Sequence, residues 1–138
     1  MSRRNERADQ ILERCAGKER DAHYLAYFEC FNEGLYFEAH EVLEHLWLPQ
    51  RTAPNGPFYK GLIQLAGAFV HFQKGRVGPS MALLKLARSH LQCYDRIHEG
   101  LDLQSVRSLI EEYLAALDRG AFVSSPPSDR SRPTLALR

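Results

Sequence analysis

The chain has 138 residues, 44% of them apolar, with 18 Lys and Arg against 17 Asp and Glu. That length suits one domain with a single core. A formal net charge of +1 gives no electrostatic footprint for nucleic acid or for an anionic membrane, so neither is expected as a partner. No apolar run approaches the length of a membrane span. Cys15, Cys30 and Cys93 are odd in number and scattered, without a C-x-x-C pair. This argues against a disulfide framework or a Cys-rich zinc site, and for small buried hydrophobes in a reducing cytoplasm. The opening MSRRNERADQ has no apolar h-region, so a secretory signal is not expected.

Taken in order, residues 6–15 suit a short charged helix or a frayed arm. In ERDAHYLAYFECFNEG, Ala22, Leu25, Ala26, Phe28 and Phe31 recur at helical spacing, and Gly34 is a fitting stop. YFEAHEVLEHLWLP reads as the next helix, with Glu38 in its first turn and Pro49 ending it. QRTAPNGP is a loop whose Pro57 can start the helix FYKGLIQLAGAFVHFQ, which stops near Gly75. GRVGPS is a turn, and SMALLKLARSHLQCYDRIH is amphipathic up to the break at Gly100. Asp102 is a fitting N-cap for LQSVRSLIEEYLAALD, closed by Gly120. No segment shows strand alternation. The expected fold class is therefore all-α, a single-domain bundle of about five helices arranged as helical hairpins. An arm or short helix is expected over 1–18, the helical domain over 19–120, and an irregular Pro/Ser-rich tail over 121–138. Phe31-Asn32-Glu33-Gly34 and Phe72-Gln73-Lys74-Gly75 each close one helix just before another begins, a weak internal echo.

The stretch AHEVLEHLW concentrates the polar chemistry. At about 100° per residue, Tyr36, Ala39, Leu43, Leu46 and Trp47 fall on the side that must pack. His40 lies among them, with Glu44 one turn later at the margin of the arc. Glu38, Glu41 and His45 point the other way. Burying His40 and Glu44 costs free energy unless they find partners. The helix from Phe58 is apolar on most sides and leaves a narrow polar seam of Lys60, Gln64 and His71. Gln64 and His71 are thus expected to meet His40 and Glu44, with Tyr36 and Asn32 completing the cluster. His45, His90 and His98 are expected at the surface.

Both zinc-protease helix patterns fail, because Glu44 and Glu41 stand where each would need a histidine. The E-x-x-H of di-iron bundles fails as well, because Phe37 and Val42 hold the acid positions. No cofactor is required by the sequence. A divalent metal on His40, Glu44 and His71 remains one reading of the cluster, since two imidazoles and a carboxylate suit such an ion. A small-ligand pocket and a closed internal hydrogen-bond network are the other two. No nucleophile elbow, phosphate loop or dinucleotide fingerprint is present.

The blocks FNEGLYFEAHEVLEHLW and FYKGLIQLAGAFVHFQKG resemble the signature of a small prokaryotic family known only as a domain of unknown function, number three hundred and nine in its series. The resemblance covers residues 20–95 and implies a compact helical domain without an assigned activity. It implies signature roles for Asn32, Tyr36, Glu38, His40, Glu41, Glu44, Gln64 and His71. Two functions compete. One is a pocket protein, working by acid–base or metal-assisted chemistry if it is an enzyme. The other is a helical-hairpin module presenting a groove to a protein partner. A homodimer is plausible only as a base rate.

Overall fold

The computed structural model describes residues 6–120 and 132–138. Among these residues six α-helices follow in order: α1 (Glu6–Cys15), α2 (Ala22–Asn32), α3 (Tyr36–Trp47), α4 (Gly56–Gln73), α5 (Val77–Leu91) and α6 (Leu103–Asp118). A 3₁₀ turn over Leu48–Gln50 leads out of α3. Two-residue strands β1 (Ile97–His98) and β2 (Leu101–Asp102) precede α6. Each helix packs on the next from α1 to α6, with α6 returning to α5 after the two short strands. The all-α bundle of hairpins is therefore the observed architecture.

Local chemistry sets most boundaries. The Asp21 carboxylate accepts from the His23 amide and starts α2. Asp102 accepts from the amides of Gln104 and Ser105 and starts α6. The ends of α2 and α4 close identically. Gly34 N donates to Phe31 O and Leu35 N to Cys30 O. Gly75 N donates to Phe72 O and Arg76 N to His71 O. In both turns the glycine is left-handed, at φ +78° and +71°. The FNEG and FQKG echo is thus a shared helix stop, each placed at the elbow of a hairpin.

One end was misjudged by periodicity. The amphipathic pattern predicts a helix running to His98, but α5 stops at Leu91. The guanidinium of Arg107 on α6 donates to the carbonyls of Leu91 and Tyr94, capping the helix from outside. The chain then turns through Glu99 and Gly100, at φ +49° and +73°, which gives the antiparallel pair β1–β2.

The core is aromatic-rich. The stripe Phe58, Leu62, Leu65, Phe69 and Phe72 of α4 is buried as expected. Tyr27 of α2 donates to Leu62 O at 2.6 Å, and Ser80 of α5 donates to Ala68 O at 3.0 Å. Both bonds tie flanking helices to the backbone of the central α4. Cys15 and Cys30 are buried and free, as expected of small hydrophobes, but Cys93 is exposed just past the end of α5. Among the described residues, no helix is long and apolar enough to cross a membrane.

A candidate ligand cleft between three helices

Helix α4 is covered by α3 on one flank and α5 on the other, which leaves one strip of it uncovered. Lys60, Ile63, Gln64, Gly67, Val70 and His71 form the floor of a cleft of about 310 Å³ along that strip. Phe37 and His40 of α3 and Leu83 of α5 form its walls. Gly67 keeps the floor deep, since a Cβ there would stand 3.3 Å from the Leu83 side chain.

The polar atoms in this cleft are unevenly satisfied. The Nδ1 atoms of His40 and His71 are shielded from solvent and have no hydrogen-bond partner within the protein. Nε2 of His40 faces Glu44 Oε2 at 3.6 Å, an ion-pair distance too long for a hydrogen bond. Gln64, only 8% exposed, is held by a 2.7 Å contact between its Oε1 and Nδ1 of His90, which places a proton on that nitrogen. At one end of the cleft the Lys60 ammonium stands 4.4 Å from the centre of the Trp47 ring, a cation–π contact.

The structure thus brings His40, Gln64 and His71 to one cleft and leaves the other expected site residues outside it. The buried arc of α3 runs through Tyr36, Ala39, Val42 and Leu43, rotated away from Trp47 toward Val42. This rotation puts Glu44 at the solvent edge, its side chain 48% exposed. Tyr36 is committed to the aromatic core, against Phe31 and Phe69. Asn32 sits at the end of α2, where its amide bonds both backbone groups of Leu135. Glu38 lies near Cys30, whose thiol is pushed up to about 12 by burial first and then by the carboxylates of Glu38, Glu33 and Glu29. Glu41 is half-buried, and its Oε1 has no partner within the protein. Among the described residues, no group of three or more His, Cys, Asp or Glu side chains is gathered closely enough to hold a metal ion. The set His40, Glu44 and His71 is therefore not gathered as ligands: Glu44 stands beside His40 at the solvent edge, outside the cleft that His71 lines.

Two histidines expected at the surface belong to the polar interior instead. His90 is the partner of Gln64, and His98 pairs through Nε2 with Asn55 Oδ1 at 2.7 Å. The His98 ring lies between Phe58 and Tyr94, both 4.6 Å away centre to centre. A signal for His90 was present in Gly61, three residues before Gln64. A Cβ on Gly61 would meet the Leu91 side chain at 2.8 Å and His90 Cβ at 3.2 Å, so α5 packs tightly against α4 there. A larger concavity, of about 760 Å³, lies between α6 and residues 133–138. None of His40, Gln64 and His71 lines it, and among the described residues none of the buried side-chain atoms that lack a hydrogen-bond partner belongs to its walls.

This site sits in the part of the chain that has known relatives. Residues 24–89, which span most of α2 to most of α5, match the family model described as Domain of unknown function (DUF309). The chain is also 29% identical over 111 residues to an uncharacterized protein of Aquifex aeolicus, a match covering 79% of this chain. It spans about a third, 33%, of the length of that relative. No solved structure matches significantly.

Proposed function

We propose that the cleft between α3, α4 and α5 binds a small organic molecule that combines an apolar body with a hydrogen-bonding group, a carboxylate fitting best. One observation carries the reading. His40 and His71 both line the cleft, and the Nδ1 atom of each is buried without a hydrogen-bond partner in the protein. Leaving a buried polar atom unsatisfied costs about 1–3 kcal/mol, and a ligand that engages both removes that cost. A volume of about 310 Å³ is at the lower end of small-ligand pockets. Ile63, Val70, Leu83 and Phe37 supply apolar wall, while the polar lining is two imidazoles, an amide and an ammonium, with no carboxylate. An acceptor-rich, negatively charged group suits that lining better than a cation. No hydroxyl or thiol is among the described residues lining the cleft.

A partner helix laid along the same strip is the second reading. It is favoured by Phe37, 52% exposed on one bank, and by Leu86, 47% exposed one turn beyond Leu83 on the other. Thermal unfolding with panels of small carboxylic acids, neutral amides and divalent cations separates the readings. Acids are expected to raise the melting temperature of the wild-type chain and not that of a folded His71→Ala variant. No shift from any acid, together with self-association that Leu86→Glu abolishes, would move the assignment to the partner helix.

A further inference from the structure

Residues 132–138 run along the end of α2 and the β1–β2 turn, and their hydrogen bonds resemble those of a bound peptide. The Asn32 side chain acts as a short strand edge. Its Nδ2 donates to Leu135 O and its Oδ1 accepts from Leu135 N, both at 2.7 Å. Two residues on, Leu137 bridges antiparallel to Leu101 of β2, and Arg138 N donates to Gly100 O at 2.7 Å. Leu135 is buried in the core and Leu137 packs against it, so alternate side chains enter the body as in an added β-strand. An arginine holds each end: Arg132 donates to the backbone carbonyl of Glu33 at 3.1 Å, and Arg138 pairs with Asp102 Oδ2 at 3.1 Å.

The receiving groups are set independently of this segment. Asn32 ends α2, whose stop is fixed by the bonds of Gly34 and Leu35, and Gly100 and Leu101 belong to a hairpin closed by its own pairing. Gly34, at φ +78°, has no Cβ, and one there would meet the Arg132 side chain at 3.0 Å. Asn32 reads only backbone, so the register of the segment is selected by two leucines one residue apart.

We infer that Asn32, the Gly100–Asp102 edge and the core wall behind Leu135 form a binding site for an extended Leu-x-Leu peptide. Residues 132–138 are its resident ligand in cis. This site is separate from the α3–α4–α5 cleft, and the two readings stand or fall independently.

The test uses the full chain carrying Leu135→Asp and Leu137→Asp, which empties the site without shortening the protein. Binding of a fluorescent peptide RPTLALR is read by anisotropy alongside far-ultraviolet circular dichroism. The doubly substituted chain is expected to keep its helical signal and to bind the peptide at least about tenfold more tightly than wild type, whose own segment competes. Adding Asn32→Ala is expected to weaken that binding at least about tenfold, since two backbone hydrogen bonds are lost together. A folded variant that ignores the peptide, equal binding by wild type, or indifference to Asn32→Ala would overturn the inference. Loss of the helical signal would overturn it too, because the segment would then be part of the core and not a ligand.

Discussion

His40 and His71 show how a side chain can sit half-buried without belonging to the packing. Each is carried to the cleft by helix periodicity, and each keeps one shielded nitrogen that no neighbour answers. Gln64, one turn from Lys60 on the same strip, is answered by His90 and is therefore fixed in place. The polar seam of α4 was legible in the sequence because every other face of that helix is apolar. The fate of Glu44 was not, because it stood at the margin of the α3 arc, where a small rotation decides between interior and solvent. The thiols give a direct check at this scale. Burial raises the pKa of Cys15 and pushes that of Cys30 up to about 12, while Cys93 is exposed. A higher thiol pKa means less thiolate, the reactive form. In the native protein iodoacetamide at pH 8 is expected to label Cys93 alone, at least about tenfold faster than the other two. Peptide mapping showing Cys30 labelled at the same rate would contradict the packing of α2.

Among elements, the elbows were the most readable and the α5 terminus the least. Phe-x-x-Gly recurs at the ends of α2 and α4 because a left-handed glycine ends a helix by bonds within its own turn, a purely local matter. The end of α5 depends on Arg107, which arrives from α6 to cap carbonyls thirteen and sixteen residues back, and no local pattern announces that. The α4–α5 contact makes its own prediction. Gly61 leaves no space for a methyl group, with Leu91 only 2.8 Å from where one would sit. Gly61→Ala gains helix propensity of about 1 kcal/mol but forces α5 outward, so a net loss of about 1–3 kcal/mol in urea unfolding is expected. An unchanged or raised midpoint would show that the two helices are less tightly seated.

At the scale of the molecule, serial hairpins produce both the core and the cleft. Because α3 and α5 pack on α4 far more than on each other, a strip of the central helix stays accessible between them. The sequence implied the helices and their order, but not this gap, which depends on how far apart two helices come to rest on a third. The account turns on whether the two cleft imidazoles serve the fold or a ligand. Urea unfolding of His40→Leu and His71→Leu chains, without added ligand, decides it most directly. If the imidazoles await a ligand, removing an unsatisfied buried nitrogen leaves stability unchanged or raises it by up to about 1 kcal/mol. A loss of about 2 kcal/mol or more in either variant would mean that the histidines hold the helices together, and the ligand reading would be wrong.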